Sequence, residues 1–380
     1  MEICDDMTNN WTLTGGQMLL GGTFAAQPLH VTNGRITQEP APEAESYNAA
    51  GRLILPGIID LHGDGFEALV QPRPGVHFPY DLAYREADAQ LISNGITTAY
   101  HGLTVSWEPG LRDIEITRAL LSALERVAPT LDCDTRLNIR WETFALDHID
   151  EVLGWLARRS GDILSLNDHT SANHKLSEES AKLKRMAVRM GLAPTDAKAA
   201  IAAVLARRDE VPEAIDRICA EAVRLGRPVL SHDDMTQEDR RTGRARGVTL
   251  AEFPMTQEAA QEARIADEPV ILGGPNALRG ESHNGALCAT EAVRAGLCTV
   301  LASDYYYPAP FHAVWRLHDA DVLPLAQAWA LVSANPAEAV GLRDRGTLDV
   351  GKRADILVVN PDTRRIETVF VQGRKVLARG

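Results

Sequence analysis

Short, nearly continuous apolar runs recur through the middle of the chain and alternate with amphipathic stretches. The runs are LILPGIIDLH, GITTAYHGL, RLNIRWETF, DILSLNDH, PVLSHDD, TLAEFPMT, PVILGGPN and CTVLASDY. Apolar character without polar alternation marks strands covered on both faces. Most runs follow a stretch such as LRDIEITRALLSALERVA, whose apolar residues sit three and four apart and so share one helical face. Eight such repeats predict an α/β fold, a closed (β/α)8 TIM-type barrel with its functional groups at the carboxyl ends of the strands. A doubly wound sheet is the alternative, but no G-x-G-x-x-G turn follows the first strand.

The two ends of the chain have another texture. WTLTGGQMLLGG and LHVTNGRITQE near the start, and ADILVVNP and ETVFVQGRKVLA near the end, read as short strands joined by tight turns at Asn33-Gly34 and Gln372-Gly373. Strands this short need partners. Residues 1–55 and 341–380 are therefore predicted to form one small β-sandwich domain, with the barrel spanning 56–340. One connection, about 170–226, is too long for a β-α loop and reads as a charged helical insert, with Thr195 a candidate cap for its second helix. It is either a lid over the active face or a helix layer outside the barrel.

Bulk composition narrows the function. A chain of 380 residues accommodates one barrel with an appendage, and 45% hydrophobic residues suffice for a large core. The net charge of -13 argues against nucleic-acid or anionic-membrane partners, which require a basic face. An anionic small-molecule substrate stays open, because a few arginines and bound cations dominate locally. The five cysteines are scattered and lack a C-x-x-C pair, and the N-terminus MEICDDMTNN lacks a secretory pattern. A cytoplasmic location is expected, and self-association is left open.

The chemistry gathers at the predicted strand ends. His62 and Asp64 close the first strand two residues apart, hence on one face. Glu142 ends the third strand, His169 follows the fourth, His232 with Asp233 and Asp234 follows the fifth, and Asp304 follows the eighth. Imidazoles mixed with carboxylates suit one or two divalent cations, zinc or manganese foremost. Glu142 is the candidate bridge between two ions, and Asp304 the candidate base for the attacking water. Asp168 stands beside His169 at the fourth strand end, whereas His101, His174 and Lys175 are weaker candidates, since a lone polar residue at a strand end or in a charged segment is more often structural. For an anionic substrate, Arg140 shares a strand face with Glu142, and the glycine-rich GGPNALRGESHNG offers Arg279 and His283.

The phrases LPGIIDLHGD, SANPAEAVGL and GTLDVGKRADILVV resemble the amidohydrolase superfamily over nearly the whole chain. PRPGVHFP, SNGITTAY, LSLNDHT, LSHDD, LAEFPMT, GGPNALRGESHNG and LASDYYYPA are similar to its phosphonate-metabolism diphosphatases. That resemblance implies a barrel beside a small β-sandwich, and metal-dependent release of pyrophosphate from α-D-ribose 1-methylphosphonate 5-triphosphate or a related compound. It implies a metal site of His62, Asp64, Glu142, His169, His232 and Asp304. It also implies that Glu142 replaces a carboxylated lysine, with Asp233 and Asp234 at the mouth. The chain departs from the family's H-T-D-N at Gly63 and Gly65, and from its Pro-Gly-Gln segment at Thr170 to His174. Hydrolysis of a cyclic amide, or deamination of an amidine, at the same site is the alternative activity.

Overall fold

The computed structural model of the chain describes residues 9–379 apart from 74 and 281–286, and only the backbone of 172. Eight parallel strands form one sheet in chain order: β1 (Ile58–Gly63), β2 (Ile96–Val105), β3 (Asp134–Glu142), β4 (Ile163–Asn167), β5 (Val229–His232), β6 (Leu250–Glu252), β7 (Val270–Gly273) and β8 (Val300–Ala302). Five lie within predicted runs and β1, β2 and β3 overlap theirs with ends one or two residues beyond, and the (β/α)8 barrel is the fold of the protein. In the first run, Leu53–Pro56 is a separate strand that pairs with Ile356–Val359 outside the barrel.

The barrel closes between β8 and β1 through backbone bonds at its carboxyl rim. Asp304 N donates to His62 O at 2.8 Å, and Asp64 N donates to Asp304 O at 3.0 Å. Asp304 reaches this position with φ of +56°, a conformation an L-residue adopts only where its surroundings impose it. The seam of the barrel is thus also what brings the first and last predicted ligands together.

Helices cover the outer face for the expected reason. In Ile114–Val127, Asp113 caps the start by accepting from Glu115 N at 2.8 Å, and Thr117, Leu120, Leu121, Leu124 and Val127 share the buried face. Alternation along β3 sends Leu137, Ile139 and Trp141 into the apolar layer. Asn138 and Arg140 point the other way, into the barrel, where they meet groups from other strands.

Strands from both chain ends build two further sheets, four strands before the barrel and six strands from both ends. Asn33 and Gly34 turn between Leu29–Thr32 and Arg35–Thr37, and Gln372 and Gly373 between Arg365–Val371 and Arg374–Ala378, with positive φ at all four turn residues. Trp11, Leu13, Val31, Ile54, Ile356 and Phe370 share one core there.

The long connection contains three substantial helices: α1 (Ala181–Met190), α2 (Pro194–Leu205) and α3 (Val211–Arg224). Thr195 does not cap α2. Pro194 takes the first helical position with its φ already set, so the helix begins two residues earlier with Ala193 at its cap. Leu183, Met186, Ala187 and Met190 of α1 pack on Ala197, Ile201 and Leu205 of α2, a small core of their own. Among the described residues no helix is long and apolar enough to cross a membrane.

Candidate active site

At the carboxyl rim, the ends of β1, β3 and β5 and the turn after β8 deliver polar side chains into a cavity of about 240 Å³ lined by His62, Asp64, Arg140, His232, Asp233 and Asp304 among others. Among the described residues, three groups of donor atoms lie within 4.8 Å of one another: His62, Asp64 and Asp304; His169, His232 and Asp233; and, deeper, His62, His232 and Glu252. The first two sets share no residue, so donors for two cations are present.

Buried carboxylates set the orientation of two of the imidazoles. His62 Nδ1 lies 2.8 Å from Glu252 Oε1, and His169 Nδ1 lies 2.5 Å from Glu142 Oε1. An imidazole that gives its Nδ1 proton to a carboxylate presents the Nε2 lone pair on its other edge, the arrangement that serves metal-binding histidines. Burial works against a charge on His62, but the Glu252 carboxylate outweighs it and holds the imidazole above its ordinary range. The same contact, together with His232 and Arg140, keeps Glu252 far below the usual carboxylate range despite full burial.

His232 lies between the other two, its ring centroid 5.7 Å from that of His62 and 5.5 Å from that of His169. Its Nδ1 makes no hydrogen bond. Asp233 Oδ1 is 3.1 Å away, close enough for charge attraction but not aligned to accept. Burial pushes the His232 imidazolium down, more than Asp233 lifts it, which favours the neutral, ligating form. Across the cavity, burial and then the neighbouring Asp64 carboxylate push Asp304 up to about 6. Two carboxylates crowded together beside an unpaired imidazole are a donor set that a divalent cation would relieve. The residues fit the metal the sequence implied.

Glu142 belongs to none of the converging groups among the described residues. Its carboxylate meets His169, through Nδ1 and through the backbone N at 3.2 Å, and so orients that imidazole. Asp234 does not line the cavity: it accepts from Ser231 Oγ at 2.5 Å and from Arg240 Nη1 at 2.8 Å, behind the strand ends. The chain passes through the left-handed region at Asp233, and only Asp233 faces the histidines.

Arg140 does reach the rim. It is 5% exposed; Nε and Nη2 donate to Asn167 Oδ1 at 3.4 Å, while Nη1 makes no hydrogen bond and lies 3.5 Å from Asp64 Oδ2. Arg279 is exposed at the end of the helix Gly274–Arg279 and lines no part of the cavity, and His283 lies outside the described residues. His101 packs against Phe66 and Tyr84, where burial pushes it down to about 4. Asp168 caps the short helix that starts at His169. His174 and Lys175 are exposed, away from the cavity.

Glu252 is the site residue that the sequence reading passed over. Fully buried at the end of β6, it also accepts from Asn138 Nδ2 at 2.8 Å and Ser165 Oγ at 2.5 Å, and so ties together β1, β3, β4 and β6. The signal was present: TLAEFPMT is one of the eight runs, and its terminal acid obeys the strand-end rule applied to the others. The departure at Gly63 also has a local cause, since a Cβ there would lie 2.8 Å from Asp60 Oδ2 and 3.1 Å from Ser303 Oγ.

A barrel whose rim gathers three histidines and several carboxylates defines a hydrolase of the amidohydrolase type, and the chain belongs to the amidohydrolase family. The family profile "Amidohydrolase family" matches residues 166–378. The chain is 30% identical over 382 residues to the alpha-D-ribose 1-methylphosphonate 5-triphosphate diphosphatase of Escherichia coli (strain K12), covering 95% of this chain and 98% of that one. The fold is shared with molinate hydrolase, at TM-score 0.64 and 15% identity over 97% of this chain and 95% of the other. It is shared also with the N-acetylglucosamine-6-phosphate deacetylase of Pasteurella multocida, at TM-score 0.62 and 12% identity over 97% and 100%.

Proposed function

We propose that the protein hydrolyses a phosphoanhydride in an anionic phosphorylated substrate, releasing pyrophosphate from α-D-ribose 1-methylphosphonate 5-triphosphate or a close analogue. The observation that carries this reading is Arg140, a buried guanidinium whose Nη1 makes no hydrogen bond and meets only the charge of Asp64 at 3.5 Å, beside the converging His62, Asp64, His232 and Asp304. The similarity to the Escherichia coli diphosphatase over nearly the full chain supports it.

His62, Asp64 and Asp304 would hold one divalent cation, and His169, His232 and Asp233 a second. A divalent ion in such a set polarises phosphoryl oxygens and lowers the pKa of water from 15.7 to about 7. Asp304 takes the proton of the attacking water as its oxygen adds to phosphorus. The bond from that phosphorus to the bridging oxygen breaks, and pyrophosphate leaves with the electron pair. Arg140 neutralises charge on the departing group, and Glu252 and Glu142 keep His62 and His169 from rotating.

The test is to measure bound metal in the purified protein and assay pyrophosphate release from a ribose 5-triphosphate, with a cyclic amide and an amidine as parallel substrates. Pyrophosphate release that stops on chelation and returns with added zinc or manganese is the expected result. Turnover of the amide or amidine alone would assign the same residues to carbon-centred hydrolysis.

A further inference from the structure

A second cavity, of about 280 Å³, adjoins the first and shares Asp64 and Arg140 with it. Its remaining cations are Arg112 and, from α1 of the insert, Lys182, Arg185 and Arg189. Five cations thus face two carboxylates, Asp64 and Glu108, in a chain whose net charge is -13. Helical spacing places this basic edge: residues 182, 185 and 189 follow one another at three and four, while Leu183, Ala187 and Met190 anchor the opposite face on α2.

The cations are held in two ways. Arg112 donates to Glu67 through Nε at 3.3 Å and Nη2 at 3.2 Å, and Arg189 to Glu108 Oε2 at 3.0 and 2.6 Å, so both heads are fixed. Lys182 and Arg185 have no side-chain partner among the described residues, and neither does the buried Nη1 of Arg140 in hydrogen bonding. Like charges brought together without partners repel, and a polyanion is what would stabilise them.

We propose that this cavity is the subsite for the two terminal phosphates of the substrate, with Lys182 and Arg185 as the side chains that grip the pyrophosphate before and after it leaves. This deepens the phosphoanhydride reading and rests on it. With the attacked phosphorus among the ligating residues, Arg140 marks the scissile linkage and the leaving group extends beneath α1. The substrate class is therefore a molecule with at least two phosphates beyond the attacked one, and the helical insert is part of its binding site.

Calorimetric titration with inorganic pyrophosphate and with orthophosphate tests the subsite without any turnover. The wild-type protein should bind pyrophosphate well above orthophosphate. The K182A/R185A variant should lose about 10- to 100-fold in pyrophosphate affinity, the worth of one or two charged hydrogen bonds. Its metal content should match wild type, and a K182R/R185K variant should recover most of the affinity. Equal pyrophosphate binding by wild type and K182A/R185A would overturn the subsite. In the turnover assay, pyrophosphate release with an unchanged KM in K182A/R185A also defeats the subsite alone, whereas a wild-type protein that releases none defeats the phosphoanhydride reading itself.

Discussion

Single carboxylates divide the work at this rim. Asp304 sits at the barrel seam with its charge opposed by Asp64, whereas Glu252 is buried and satisfied by His62, Asn138 and Ser165. Their replacements should therefore fail differently. Asp304→Asn keeps the shape and one ligating oxygen but cannot accept a proton, so turnover should fall about 10²- to 10⁴-fold while bound metal, measured by elemental analysis, falls far less. Glu252→Gln weakens the hold on His62, and metal affinity measured by chelator competition should drop about 10- to 100-fold with the fold retained. Metal loss in the first variant would make Asp304 mainly a ligand. Unchanged affinity in the second would remove Glu252 from the site's support.

Elements, rather than single residues, decide how the two chain ends combine. The turn at Asn33-Gly34 and the turn at Gln372-Gly373 are far apart in sequence, yet a Cβ on Gly34 would lie only 2.5 Å from Gln372 O. Gly34 also has φ of +73°, which an alanine adopts only under strain. Gly34→Ala should cost about 1–3 kcal/mol in urea denaturation, through both the conformation and the lost close approach. The insert makes the same point for function. Its helical character follows from periodicity, but which of its faces meets the barrel depends on α2, whose apolar side chains bury Leu183 and Met190 and leave Lys182 and Arg185 toward the cavity.

At the scale of the whole molecule, the barrel base is clamped to the terminal sheets by charge. Arg345, 5% exposed, donates to Asp134 Oδ2 at 2.5 Å and to Thr98 Oγ1 at 2.9 Å, linking the segment after the barrel to the starts of β3 and β2. Burial raises the Asp134 carboxyl, but Arg136 and Arg345 outweigh it and bring it down to about 2. A carboxyl depressed from its model-peptide value of about 3.9 contributes stability above that pH and loses it as pH falls toward 2. The contribution is about 2 kcal/mol. Asp134→Asn should thus be less stable than wild type by about that amount at pH 7, and the gap should narrow to about half by pH 3 in urea titrations. A gap independent of pH would place the effect in packing rather than in charge.

The periodicity of the chain was enough to determine the eight strands, their parallel order and the pairing of the two ends, because strand and helix patterns are local and repeat. It also determined that imidazoles and carboxylates stand at strand ends. Which of them face one another was a matter of tertiary structure, since that depends on barrel closure and on which way each rim turn bends. Closure set Asp304 beside His62. The left-handed turn at Asp233 separated it from Asp234, which lies on Arg240, and the approach of β3 to the helix after β4 gave Glu142 to His169. Glu252 obeyed the strand-end rule in the sequence. Its attachment to His62, Asn138 and Ser165 existed only once four strands had curved into one barrel, because side chains 87 to 190 residues apart acquire a common neighbourhood through packing alone.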